Sequence, residues 1–311
     1  GKDYIPLRTN TGACPMIDIL FLGTGCMQPT KTRNHSGILI SYKTENILFD
    51  CGENIQRQMR IAGIKPAKTT RLCISHWHGD HVFGIPGLLS SMGADKSEMV
   101  LQIYGPLGTK QYLEYMVKSF AAKDVIPFVV HEVKSGIIFE NEDFALEAQP
   151  LKHSTPCIGF TFREKDRLRI NVSKASKLGL SGPVLGKIQQ GEPVVYNGKK
   201  ISPEDVAYMV KGKKISYIAD TVPCEGANTL AQDADLLISE GTHLDEIKEK
   251  TAKFMHLTVK QAALIASENN AQKLIITHLS QRYKSIAEVA EEARTYFDNS
   301  IVAEDFMRVK V

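Results

Sequence analysis

Short apolar runs, each ending at a glycine turn or a polar loop, set the rhythm of this chain. Residues 17–22, IDILFL, read as a strand running straight into the glycine turn GTGC. GILISY and NILFDCG follow as two further strands, with the polar KTE between them. Residues 53–62 suit a helix, because Ile55, Met59 and Ala62 then share one face. TRLCISH is a strand that stops at a cluster of histidines, which places those side chains on a loop at a strand's carboxyl end. LQIYGP is another short strand, and a helical pattern covers about 108–121. Strand-like pieces come next at 126–133, 136–140, 143–149 and 157–163.

Residues 164–196 break the rhythm. EKDRLRINVSKASKLGLSGPVLGKIQQGEPVVY is rich in Lys, Gly and Ser and reads as an excursion from the core. KKISYIADT and ADLLISEGTH return to strand followed by polar loop, and KLIITHLS is a strand that ends at another histidine. Thr258 with Gln261, and Ser285 with Glu288, have capping-box spacing. The second of these helices presents Ile286, Val289, Ala290, Ala293 and Phe297 to a core. Two sheets with outer helices fit this order, and so does an ordinary α/β fold.

A chain of 311 residues, 43% apolar and 23% charged, has room for one large domain or two small ones. Its net charge of +3 is too weak to argue for nucleic acid, so any phosphate-binding surface has to be local. No apolar run reaches the roughly 18 residues of a membrane span. The amino-terminal GKDYIPLRTNTGACP lacks a hydrophobic signal core. The expectation is a soluble cytoplasmic protein with no membrane partner. Cysteines at 14, 26, 51, 73, 157 and 224 form no CxxC pair, and they read as scattered thiols of a reducing compartment.

The chemistry concentrates in residues 75–81, SHWHGDH. Imidazole and carboxylate are the ligands expected for zinc and related borderline metals. His76 and His78 are two apart, so a local turn brings both to one ion, whereas the adjacent Asp80 and His81 point differently and suit a second. So dense a site needs ligands from elsewhere. His153 follows LEAQPLK, Asp220 follows ISYIA and His278 follows LIIT, each a ligand-type residue after an apolar segment. His35, His131 and His243 lack that placement and are assigned surface or hydrogen-bonding roles.

SHWHGDH resembles the signature of the metallo-β-lactamase superfamily. More narrowly, FLGTGCMQPTKTRNHS, SHWHGDHVFGIPGLL, YIADT and ITHLSQRY resemble the ribonuclease Z family, whose members remove the 3′ trailer from precursor transfer RNA. The likeness covers most of residues 17–297. It implies one α/β domain over 1–311, an αββα four-layer sandwich with a flexible RNA-binding arm inserted at 164–196. It implies two zinc ions per chain, although the same ligand types admit manganese. His76, His78 and His153 then hold one ion, Asp80, His81 and His278 the other, and Asp220 bridges them. Asp80 doubles as a group that steers or accepts a proton.

Two stretches match the family with departures. SEGT at 239–242 keeps Glu240 and Thr242 of a His-Glu-Ala-Thr stretch, with Ser239 and Gly241 in the other two places. HLT at 256–258 keeps the histidine of His-Ser-Thr, with Leu257 for the serine. His256 matches the residue that assists the leaving group, and Glu240 either orients its imidazole or caps a loop. Gly182 and Pro183 resemble the arm's Gly-Pro motif, and Lys174, Lys177 and Lys187 are implied phosphate contacts to folded RNA. Arg33 and Arg282 are read as phosphate ligands near the site or as core-edge salt bridges. The resemblance also implies a homodimer. The rival readings are another hydrolase on the same scaffold, such as a general phosphodiesterase, and a non-catalytic RNA-binding protein. The second of these has no need for all seven ligands.

Overall fold

The structure, a computed structural model, describes residues 16–96, 98–120 and 126–311. Cys14, the segment screened for a signal core and the end of the 108–121 pattern lie outside the described residues. Among the described residues the apolar runs form two seven-stranded sheets. The first runs, edge to edge, Arg308–Lys310, Asp18–Gly23, Gly37–Tyr42, Glu45–Phe49, Arg71–Cys73, Leu101–Gly105 and Phe128–Glu132. The second runs Ser300–Val302, Leu274–Thr277, Leu236–Glu240, Lys214–Ile218, Cys157–Glu164, Phe144–Leu151 and Gly136–Glu140. Each sheet has a parallel half, from Glu45–Phe49 to Phe128–Glu132 in the first and from Lys214–Ile218 to Ser300–Val302 in the second.

Strand periodicity explains the layering. In Asp18–Gly23, Ile19 and Phe21 enter the core between the sheets, beside Ile38, Ile40, Phe49, Phe160 and Tyr217. The alternate Leu20 and Leu22 face the other way and pack with Leu39, Leu48 and Leu72 against the helices Ile55–Ile61, Ile85–Ala94 and Thr109–Lys118. Burial of both faces is why such strands read as continuous apolar runs. The outer face of the second sheet puts Ile218, Leu237, Leu274 and Ile276 under the helices Glu225–Ala231, Val259–Glu268 and Ala287–Tyr296. The result is the expected αββα sandwich. Phe49 stacks on Phe160 at 5.4 Å and on Tyr217 at 5.9 Å, pinning one sheet to the other. Each such pair adds about 0.5–1.5 kcal/mol beyond its buried area.

The expected capping box at Thr258 forms: Thr258 Oγ1 accepts from Gln261 N at 3.2 Å, and Gln261 Oε1 accepts from Thr258 N at 2.9 Å. A cap of this kind contributes about 1 kcal/mol and fixes where the preceding loop ends. The one expected at Ser285 does not form. That helix begins at Ala287 with Ile286 at the cap, and Ser285 Oγ instead accepts from Ala287 N at 3.2 Å. Ile286 and Phe297 still pack against the core formed by Val289, Ala290 and Ala293.

The excursion is longer than 164–196. Arg167–Ile170 pairs antiparallel with Ala207–Val210, so the insertion closes only at Val210. Between them lie helices Val172–Lys177, Pro183–Gln189 and Pro203–Val206 and a hairpin pairing Val194–Tyr196 with Lys199–Ile201. The hairpin turns at Asn197 and Gly198, both with positive φ, which is the Asn-Gly signal that extends the insertion. Ala175, Leu180, Ile188, Val194, Ile201 and Val206 give the unit a small core of its own. Glu164 N donates to Lys213 O at 2.8 Å, so the insertion leaves and returns at one place on the second sheet.

Candidate metal centre

Four strand ends bring the predicted ligands together. His76, His78, Asp80 and His81 follow Arg71–Cys73, His153 follows Phe144–Leu151, Asp220 follows Lys214–Ile218 and His278 follows Leu274–Thr277. The carboxyl ends of parallel strands are the usual place for a site in an α/β fold. Close backbone approach sets the first loop. Gly84 N donates to Cys51 O at 2.9 Å, and a Cβ on Gly84 would lie 1.9 Å from Gly52 O. Two site residues, Asp50 and His278, have φ 59. Left-handed backbone at a non-glycine residue costs on the order of 1–3 kcal/mol, and such outliers gather at functional sites.

Donor atoms converge in two groups that share Asp220. In one, His76 Nε2 lies 3.6 Å and His153 Nε2 4.0 Å from Asp220 Oδ2, and His153 Nε2 lies 3.2 Å from His78 Nδ1. In the other, His81 Nε2 lies 3.5 Å from Asp220 Oδ1, 3.2 Å from His278 Nε2 and 3.7 Å from Asp80 Oδ2, with Asp80 Oδ2 3.4 Å from His278 Nε2. Ligands bound at about 2.0–2.1 Å around one tetrahedral zinc stand roughly 3.4 Å apart, so these spacings fit an ion in each group. Two buried atoms make the same point. His76 Nε2 and Asp220 Oδ1 form no proper hydrogen bond, although both residues are almost wholly buried. Orphaned buried polar atoms are rare in folded proteins, and a bound cation satisfies them.

The electrostatics agree. Burial works against ionisation of Asp220, yet His278, His81, His256 and His76 hold its carboxyl well below the usual range. Burial likewise opposes charge on His81, but Asp220, Asp50 and Asp80 hold its imidazole well above the ordinary value. His76 goes the other way, pushed well below that value by burial and by His81. The cluster thus focuses negative charge and draws positive charge to it. A divalent cation meets the same demand, and its binding releases ring protons.

The structure also shows residues that sequence reasoning passed over. Asp50 Oδ2 lies 2.8 Å from His81 Nδ1, and the carboxylate also accepts from Ser75 N at 2.7 Å and Tyr217 Oη at 2.9 Å. It fixes the His81 ring from behind, as outer partners of metal-binding histidines do. The signal was present: Asp50 ends a strand in the same manner as Asp220. Thr242 Oγ1 lies 3.1 Å from His278 Nδ1 and donates to Glu240 Oε2 at 2.7 Å.

Glu240 fills both roles considered for it. It accepts from Thr221 N at 2.7 Å, capping the loop that carries Asp220, and both its oxygens lie 3.2 Å from His256 Nδ1. Burial opposes charge on His256, but Glu240 and Asp220 push it up to about 9. Gly241 has a packing reason, since a Cβ there would meet Ile276 Cγ2 at 2.9 Å, and Leu257 is fully buried in the outer core.

Arg33 lies at the core edge. Its guanidinium is buried and donates to Thr24 Oγ1 at 2.6 Å and Ala303 O at 2.8 Å. Arg282 is exposed next to Tyr283. His35 Nε2 lies 3.0 Å from Met27 O and His131 Nε2 2.9 Å from Gln102 Oε1, the hydrogen-bonding roles expected of them, whereas His243 lines the cleft. That cleft, of about 730 Å³, opens over His78, Asp80, His153, Asp220 and His256. Lys174, Lys177, Gly182, Pro183 and Lys187 are all exposed on the insertion, away from the cleft lining.

Fold and centre together define a metal-dependent hydrolase of the metallo-β-lactamase fold. The ribonuclease Z of Methanothermobacter thermautotrophicus is 42% identical over 298 residues, covering 95% of this chain and 97% of the relative. That of Methanosarcina acetivorans is 38% identical over 302 residues, covering 95% and 98%. The chain belongs to the ribonuclease Z family. The crystal structure of human tRNase Z, short form, superposes with a TM-score of 0.69 at 28% identity over 94% of this chain and 98% of that one. The metallo-β-lactamase fold protein YhfI of Bacillus subtilis gives the same TM-score of 0.69 at 17% identity, over 96% and 100%, and bears on the fold alone. The family described as Anti-Pycsar protein Apyc1 matches residues 17–171, which end inside the insertion.

Proposed function

We propose that this chain removes the 3′ trailer from precursor transfer RNA by hydrolysing one phosphodiester, with two zinc ions in the centre. The observation that carries this reading is the convergence of seven donor residues into two groups meeting at Asp220. Two divalent ions bound there would supply an activated water and neutralise charge on a scissile phosphate.

The chain's own residues do the rest. His76, His78 and His153 would hold one ion and Asp80, His81 and His278 the other, with Asp220 shared between the two groups. Burial works against ionisation of Asp80, but His81 and His278 hold its carboxyl well below the usual range. Asp80 Oδ2 also accepts from Met27 N at 2.7 Å, which fixes the carboxylate where it steers the attacking water's proton. Glu240 engages Nδ1 of His256, so Nε2 carries the proton delivered to the departing ribose 3′-oxygen. The products are a transfer RNA with a 3′-hydroxyl and a trailer with a 5′-phosphate. Arg282 contacts phosphate near the cleft.

The insertion binds the body of the RNA. Lys174, Lys177 and Lys187 contact phosphates without reading bases, and Gly182, with φ 66, turns the chain into the helix that Pro183 begins. The working assembly is a cytoplasmic homodimer, which sedimentation at about twice the 34.5 kDa chain mass would support.

Excising the insertion tests the division of labour. Glu164 and Lys213 are already hydrogen-bonded neighbours, so a short Gly-Ser link can replace residues 167–210 without moving the sheet. Affinity for precursor transfer RNA is expected to fall by about 10²-fold or more, with a shallower salt dependence. Hydrolysis of a small phosphodiester is expected to stay within about threefold of the whole chain, because the insertion lines no part of the cleft. Equal loss on both substrates in a folded variant contradicts the assignment.

A further inference from the structure

Cys26 lies in the centre and has no part in the roles assigned so far. Its side chain, with Asp80 and His278, forms a group whose ligand atoms all lie within 4.8 Å of one another. The backbone holds it there. Cys26 N donates to Leu279 O at 3.0 Å and Leu279 N donates to Thr24 O at 2.9 Å, locking the GTGC turn against the His278 loop. The next residue, Met27, donates its N–H to Asp80 Oδ2 at 2.7 Å, locking the same turn to the other ligand. Cys26 is half-buried on the cleft wall, and Cys51, Cys73 and Cys157 are buried in the core. The Cys26 group shares His278 with the neighbouring group of His81, Asp220 and His278. Asp220 Oδ1, almost wholly buried and without a proper hydrogen bond, lies 3.4 Å from His278 Nδ1 and 3.5 Å from His81 Nε2.

We infer that Cys26 Sγ is a further ligand to the ion held by Asp80, His81, His278 and Asp220, and that it biases this position towards thiophilic divalent ions. The inference rests on the two-ion reading above. A thiolate is a soft donor that favours zinc, cobalt and cadmium, whereas manganese prefers oxygen. On binding, the Cys26 S–H bond breaks, its proton passes to solvent, and the sulfur lone pair forms the bond to the ion; no oxidant or reductant is needed. The position is thereby selective against manganese, which the imidazole and carboxylate ligands alone admit.

The test uses the full chain, stripped of metal and titrated with cobalt(II). A sulfur-to-cobalt charge-transfer band in the near ultraviolet is expected during filling of the two positions. Cys26→Ser and Cys26→Ala are expected to lose that band and keep the visible ligand-field bands of nitrogen- and oxygen-bound cobalt. In parallel, cadmium affinity at one position is expected to fall by about 10–100-fold in either variant while manganese affinity changes by less than about threefold. A native chain that binds two cobalt ions without the band overturns the role of Cys26 and leaves the two-ion centre standing. A band that persists in both variants, or cadmium and manganese affinities that fall together, overturns it as well. A chain that takes up no cobalt overturns this inference together with the two-ion reading.

Discussion

Asp220→Ala is expected to lose at least one of the two ions and to cut precursor cleavage by roughly 10³–10⁴-fold or more, the loss of several kcal/mol of transition-state stabilisation. The reason is geometric. One carboxylate faces His76 at 3.6 Å, His81 at 3.5 Å, His153 at 4.0 Å, His278 at 3.4 Å and His256 at 3.8 Å. Its Oδ2 faces the first donor group and its Oδ1 the second. Its removal also leaves a buried cluster of imidazoles without the charge that holds them together, so the groups are expected to spread. Metal analysis on the preparation used for single-turnover kinetics checks both effects. An Asp220→Ala chain that keeps two ions and cleaves normally removes the bridge from this account.

The second large effect is expected at His256, and its signature is different. His256→Ala should keep both ions and bind precursor RNA almost normally, because its nearest carboxylate is Glu240 at 3.2 Å, with Asp220 farther off at 3.8 Å. Its chemistry-limited turnover should fall by about 10²–10⁴-fold, the usual scale of acid–base assistance. A substrate with an unusually good leaving group should recover much of that loss, since it needs little protonation. His78→Ala is the control: its metal content should drop, and the better leaving group should rescue little. If His256→Ala loses metal as severely as His78→Ala, His256 is a ligand or a prop. If metal, binding and rate all stay normal, it is a bystander.

Much of the centre was legible in the chain because its ligands obey one local rule. His76, Asp220 and His278 each stand just after an apolar strand, and strand ends in a layered fold converge at one edge. The two-sheet layering was harder to read, because strands buried on both faces lose their alternation and resemble any α/β core. Three features escaped for physical reasons. Asp50 obeys the strand-end rule but sits in a run read only as strand, and its importance appears when His81 comes within 2.8 Å of it. The far end of the insertion was missed because the pairing of Arg167–Ile170 with Ala207–Val210 is non-local and closes over three small helices and a hairpin. Arg33 was open between two roles until the fold brought Ala303 O to its guanidinium across 270 positions of sequence. The Ser285 spacing misled because spacing alone does not say which residue leaves the helix, and here the chain turns helical one residue later.

The central claim is one hydrolytic cut in a 3′-extended precursor transfer RNA, made by the centre at Asp220. The measurement that tests it most directly is cleavage of such a precursor by the zinc-reconstituted chain, with both new ends mapped. The account predicts metal-dependent release of the trailer as one piece carrying a 5′-phosphate, leaving a 3′-hydroxyl on the transfer RNA. A chain loaded with both ions that leaves the precursor intact, or that cuts with the opposite end chemistry, contradicts it.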